Sequence, residues 1–139
     1  MSRFRQVAML ATAALLLAAC SSSSNSPSQA ASQAASAAPR VVQLEIGDGK
    51  ITPASVTVTK GETVKFEIKN ANTVEVELIV GLKADVDSDS GDSLVEAEHI
   101  APGASSSLVF TFDGDGPYAY GDQIDDHYAK GAKGDIVLQ

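Results

Sequence analysis

From residue 41 onward, apolar and polar residues trade places over short runs broken by turn formers. The clearest run is Thr63-Val64-Lys65-Phe66-Glu67-Ile68-Lys69-Asn70. It sets Val64, Phe66 and Ile68 on one face and charges on the other, the mark of a half-buried strand. Ser55-Val56-Thr57-Val58-Thr59 does the same with β-branched residues. Val41 to Ile46 alternates over its second half, and Val74 to Val80 alternates before turning wholly apolar. Ser107 to Phe112, Pro117 to Tyr120 and Gly134 to Leu138 complete the strand candidates. Gly47-Asp48-Gly49, Lys60-Gly61-Glu62 and Ala71-Asn72-Thr73 are the turns between them.

No window carries an amphipathic helical stripe, and no internal repeat is visible. Short period-two strands joined by tight turns predict an antiparallel β-sandwich. Phe66, Phe110, Phe112, Tyr118 and Tyr120 are its expected core aromatics. The stretch from Gly81 to Gly103 is acidic and reads as irregular.

The first thirty-nine residues do not share this pattern. Arg3 and Arg5 precede an unbroken run of small and apolar residues from Val7 to Ala19. Thirteen residues are too few to span a bilayer, which takes about 20, but suit a secretory signal of residues 1–19. The run ends Leu17-Ala18-Ala19-Cys20, which resembles the bacterial lipobox. Cys20 is then the lipidated first residue of the mature protein, and its acyl chains (palmitate among them) form a durable membrane anchor. Residues 20–39, rich in Ser, Ala and Gln, are expected to be a disordered tether. The expected location is the cell envelope, facing the periplasm or the cell exterior.

That leaves one domain, residues 40–139. Without Arg3 and Arg5 there remain 8 basic residues against 18 acidic ones, a net charge of −10. Nucleic acid is therefore an unsuitable partner, and a divalent cation or a protein surface a suitable one. Cys20 is the only cysteine, so no disulfide can form within the chain. There is no nucleophile elbow or phosphate loop, and an enzyme is not expected.

Several motifs in order resemble the cupredoxins, the plastocyanin- and azurin-like copper proteins. Ile51 to Val64 resembles their Pro…Val-x-Val-x-x-Gly-x-x-Val signature. Ala101-Pro102-Gly103 resembles their Pro-Gly turn, and Gly116-Pro117-Tyr118-Ala119-Tyr120 their Gly-x-Tyr-x-Tyr strand. His127-Tyr128-Ala129-Lys130-Gly131-Ala132-Lys133-Gly134 resembles their closing His-Tyr-x-x-Gly-Met-Lys-Gly motif. The resemblance implies an all-β, cupredoxin-like Greek-key sandwich of about seven or eight strands. It also implies where a type 1 copper site would lie: Val76, Asp122, His127 and Ala132. Such a site needs two imidazoles, a thiolate and an axial thioether. Of these only His127 is present, and with Cys20 lipidated no thiolate is left in the domain. Type 1 copper, and blue-copper electron transfer with it, is excluded on composition.

Asp122 and His127 are then the candidate ligands of a remodelled site for Cu, Zn or Fe. The competing reading is a solvated acidic loop with one leftover histidine, in a structural or protein-interaction domain without metal. Cupredoxin-like domains of bacterial iron uptake, which resemble this fold while using carboxylates, keep iron among the candidates. Glu75 and Glu77 flank Val76 and should point to solvent. Asp85, Asp87, Asp89 and Glu96 echo the spacing of a Ca²⁺ loop, but with Ser90 where glycine belongs and no flanking helices the stretch reads rather as an acidic, mobile loop that keeps the protein soluble. His99 is read as an exposed loop histidine or an extra ligand.

Overall fold

A computed structural model describes residues 38–139 apart from 89 and 91. The expected signal segment, Cys20, Asp89 and nearly all of the tether lie outside the described residues. Among the described residues, nine strands pack as two sheets: β1 (Arg40–Gly47), β2 (Lys50–Thr52), β3 (Ser55–Val58), β4 (Thr63–Asn70), β5 (Val76–Leu82), β6 (Val95–Ile100), β7 (Ser105–Thr111), β8 (Tyr118–Gly121) and β9 (Lys133–Leu138). The first sheet runs β2-β1-β4-β7 and the second β3-β9-β8-β5-β6.

The expectation of a purely antiparallel sandwich is corrected at two pairs. β1 lies parallel to β4 and β3 parallel to β9. The chain leaves the first sheet after β2, lays β3 on the second, and returns as β4. That crossover lets two strands of one sheet run the same way.

The alternation read from the sequence is the burial pattern found. Val64, Phe66 and Ile68 on β4 are at most 1% exposed, as is Ile46 on β1. Phe112 stacks edge-on against Phe66, Phe110 and Tyr118, with centroids 6.3, 4.9 and 5.2 Å away. With no cysteine in the domain, this apolar interior is its source of stability, each large side chain contributing about 1.5–3 kcal/mol.

The fully apolar end of β5 has its own cause. Leu78 and Val80 face the interior, while Ile79 faces outward and is still only 6% exposed. It is covered by α1 (Lys83–Ser88), whose Val86 packs with Ile79, Ala119 and Tyr128 as a second, smaller apolar cluster. Both α1 and β6 occupy the stretch expected to be irregular. Six residues with one buried side chain give α1 no readable stripe. In β6 a bulge breaks the alternation, where His99 takes φ 53°.

Tyr120 is fully buried, and its hydroxyl donates to the Pro53 carbonyl at 2.5 Å. Burial pushes that phenol up to about 12. Tyr120→Phe leaves the carbonyl without this donor and should cost about 1–2 kcal/mol. In thermal unfolding that is a fall of several degrees, roughly 4–8 °C per kcal/mol for a domain of this size. An unchanged midpoint would show that the bond contributes nothing.

Candidate functional site

One end of the sandwich carries the loop from β8 to β9. It begins at Asp122, passes a 3₁₀ turn (Ile124–Asp126) and a single helical turn, α2 (His127–Lys130), and reaches β9 through Gly131 and Ala132. The loop closes on itself. The Asp122 amide donates to the Ala132 carbonyl and the Ala132 amide to the His127 carbonyl, both at 3.0 Å. Asp125 and Asp126 both sit in the left-handed region, at φ 48° and 62°. Aspartate tolerates that conformation better than most residues, at a cost of about 1–2 kcal/mol. The two residues reverse the chain so that α2 presents His127 back towards Asp122.

Asp122 follows Tyr118 and Tyr120 on the inward side of β8 and is completely buried. The His127 Nδ1 lies 2.7 Å from Asp122 Oδ2. Oδ1 accepts from the Ile124 amide at 3.1 Å and, more weakly, from the Glu77 amide at 3.4 Å. Burial holds the Asp122 carboxyl above its ordinary value, with the His127 hydrogen bond offsetting part of that shift. The His127 side chain is 14% exposed, and among the described residues its Nε2 makes no hydrogen bond. An Nδ1–H donated to the carboxylate leaves Nε2 as the open lone pair.

Val76 and Ala132 complete the neighbourhood. Both are buried, at 0% and 1% exposure. Glu77, next to Val76, bonds Asp122 through its amide, and Ala132 bonds both Asp122 and His127 through its backbone. The four positions that the sequence resemblance singled out are therefore neighbours. They hold one carboxylate, one imidazole and two hydrocarbon side chains. That set does not fit a type 1 copper ion, which needs a thiolate. Among the described residues, no three His, Cys, Asp or Glu side chains are grouped to hold a metal ion.

The other sequence candidates fall elsewhere. Glu75 and Glu77 do alternate away from Val76, but Glu77 is not free in solvent. It is half-buried, its Oε1 accepts from the Gln123 amide at 3.1 Å, and burial pushes its carboxyl up. His99 is not a loop residue. It lies on β6, 72% exposed, with Nδ1 2.7 Å from Glu75 Oε1. The described positions of the Ca²⁺-like spacing stand on different elements. Asp85 and Asp87 stand on α1 and Glu96 on β6, where it accepts from Ser93 at 2.9 Å. Asp87 pairs with Tyr128 and Lys83 instead of sharing a centre with Asp85.

The Glu75 carboxylate raises the His99 pKa above its ordinary value, chiefly through their hydrogen bond. His99 should therefore titrate above about 6.5 by NMR, and Glu75→Gln should bring it back down. Since the folded-state value is the higher one, the stabilisation is complete in acid and fades as pH rises through it. A His99 midpoint that ignores Glu75→Gln would show the pair is not formed in solution.

The profile of the cupredoxin-like domain family matches residues 8–137. A copper-resistant cuproprotein, CopI of Rubrivivax gelatinosus, is 28% identical over 115 residues, covering 76% of this chain and 70% of that protein. Among solved structures, reduced auracyanin of Roseiflexus castenholzii superposes with a TM-score of 0.63 at 18% identity, over 73% of this chain and 98% of its own. Auracyanin A of Chloroflexus aurantiacus, a "blue" copper protein, gives 0.62 at 19% identity, over 73% and 100%. At those identities the two auracyanins speak for the fold.

Proposed function

The chain belongs to the cupredoxin-like domain family, and on that premise we propose that it handles copper at the cell envelope as a cargo ion, without a blue-copper centre of its own. The similarity to a copper-resistant cuproprotein supports copper as the ion. The observation that carries the reading is the Asp122–His127 pair: a fully buried carboxylate 2.7 Å behind a partly exposed imidazole. A histidine that gives its second N–H to a carboxylate is the usual arrangement at metal sites, because the carboxylate fixes the ring and strengthens the other nitrogen as a donor. His127 Nε2 is then the coordinating atom and Asp122 its orienting partner. One imidazole suits a borderline ion such as Cu²⁺ or Zn²⁺ and holds it exchangeably, as passing on a cargo requires.

The remaining parts of the reading come from the sequence. Cys20 carries the lipid, residues 20–39 are the tether, and residues 40–139 are the binding domain. No enzymatic step is proposed. A second reading, an interaction domain with no metal, is favoured by the same pair from the other side. The buried Asp122 carboxylate already has its partner in His127, so the fold needs no ion there.

Native mass spectrometry and calorimetry of the metal-stripped protein, titrated separately with Cu²⁺, Zn²⁺ and Fe²⁺, separate the two. The expected result is one Cu²⁺ per chain, lost in His127→Ala and weakened about 10–100-fold in Asp122→Asn. Equal binding by wild type and His127→Ala, or none by either, would leave the interaction domain as the function.

A further inference from the structure

α2 cannot hold its own shape. It is one turn of four residues, follows two left-handed aspartates and has no side-chain cap at its start. Isolated helices far longer than this are marginal in water. The direction in which α2 points His127 must come from tertiary contacts, and on the outer side of the loop Tyr128 supplies them.

Successive helical residues differ by about 100° around the axis, so while His127 turns in to Asp122, Tyr128 turns out onto the second sheet. Its ring occupies a notch made by Gly121: a Cβ there would fall 2.6 Å from the ring's Cε2. The ring packs with Ile79, Val86 and Ala119. Its hydroxyl donates to Asp87 on α1. Lys83 holds Asp87 in turn, 3.5 Å away, and reaches across to Asp135 on β9 at 2.8 Å. Lys133 Nζ stands 4.7 Å over the same ring. A second tie runs beside it, from Gln123 Nε2 to the Val86 carbonyl at 2.9 Å. Both ties run from the β8–β9 loop to α1, an element placed on the outside of the sheet.

We infer that Tyr128, braced by Asp87 on α1, is a second positioning residue, which acts with Asp122 to set the direction of His127 and with it the strength of the copper site. This rests on the proposed copper reading for its consequence, though the brace itself is a matter of geometry. Tyr128 touches no ion; it acts through the α2 backbone.

The test uses the full-length protein in detergent, with ¹⁵N-labelled histidine, in wild type, Tyr128→Phe, Asp87→Ala and Asp87→Asn. Two quantities are read: the ring nitrogen signals of His127, with those of His99 as an internal control, and the Kd for Cu²⁺. Tyr128→Phe keeps the ring in its notch and removes only the hydroxyl tie. It and Asp87→Ala should broaden or shift the His127 signals, leave those of His99 in place, and weaken Cu²⁺ about tenfold. Asp87→Asn keeps an acceptor for the hydroxyl and should restore both readings. Two results would overturn the inference: His127 signals and affinity unmoved by Tyr128→Phe and Asp87→Ala, or Asp87→Asn losing as much affinity as Asp87→Ala, which would make the effect one of charge. Should wild type bind no Cu²⁺, the copper reading fails by itself, and the His127 signals alone decide the brace.

Discussion

The triple variant Val76→His, Asp122→Cys, Ala132→Met is expected to turn blue on addition of Cu²⁺, while the wild type stays colourless. The expectation rests on how close the four positions are. Backbone hydrogen bonds of 3.0 Å link Asp122 to Ala132 and Ala132 to His127, and the residue after Val76 donates to Asp122 at 3.4 Å. With His127 kept, the substitutions supply a second imidazole, a thiolate and a thioether in the same small volume. Two imidazoles and a thiolate in a trigonal arrangement with a weak axial thioether produce the intense colour of type 1 copper. The change also removes a buried carboxylate, so His127 is released from its partner to face the ion. Two larger side chains enter at positions that are 0% and 1% exposed, and overpacking costs about 1–3 kcal/mol at each. The experiment is therefore best run in the cold, with circular dichroism to show that the variant is folded. Visible absorption and electron paramagnetic resonance read the outcome. A folded variant that binds copper with a tetragonal, weakly coloured spectrum would mean that these positions do not converge on one ion. Asp122→Cys alone is the informative control: it supplies the thiolate without the rest and should give at most a weak, unstable colour.

What the sequence revealed, and what it hid, follows from how many faces of each element are covered. β4 and β1 were legible because one face meets water, so charge and hydrocarbon alternate. The end of β5 lost its alternation because α1 covers its outer face, putting Ile79 under cover as well as Leu78 and Val80. α1 has no signature of its own, since Val86 alone is buried in it. β6 was hidden by the bulge at His99, which places two exposed residues between the buried Ala97 and Ile100.

The site was legible as a set of positions, not as an arrangement. The closing motif placed His127, and residues 40–139 hold no cysteine to serve as a thiolate. Nothing in the order Asp122-Gln123-Ile124-Asp125-Asp126-His127 announces that the first residue is buried and hydrogen-bonded to the last. That contact exists because two consecutive aspartates adopt left-handed backbone and fold the loop over. Nor does one tyrosine after a histidine announce a tie to a helix forty-one residues earlier, for the separation of Asp87 and Tyr128 in sequence carries no periodic signal.

Asn70→Ala is expected to damage the domain more than alanine at any other polar position. Asn70 ends β4 at 0% exposure, at the same end of the sandwich as the Asp122–His127 pair. Its Nδ2 donates to the carbonyls of Val74 at 2.9 Å and Ile100 at 2.8 Å, and its Oδ1 accepts from the Asn72 amide at 2.8 Å. One side chain thus joins the end of β4, the turn into β5 and the end of β6. Alanine leaves two carbonyls and one amide without these partners. At about 1–3 kcal/mol for each group left unsatisfied out of reach of water, a total near 3 kcal/mol or more is expected, because water can reach some of the three. That is a large share of the roughly 5–15 kcal/mol holding a domain together. Urea unfolding should show the loss as a lower midpoint with an unchanged slope. Asn70→Asp discriminates between lost hydrogen bonds and lost shape. It is nearly isosteric and keeps an acceptor for Asn72, but it offers the two carbonyls no donor while ionised. It should be at least as damaging as alanine at neutral pH and should recover in acid, where a protonated carboxyl can donate once. A loss under about 1 kcal/mol in Asn70→Ala would show that water replaces the amide, and that the turn at 71–75 is held by its neighbours instead.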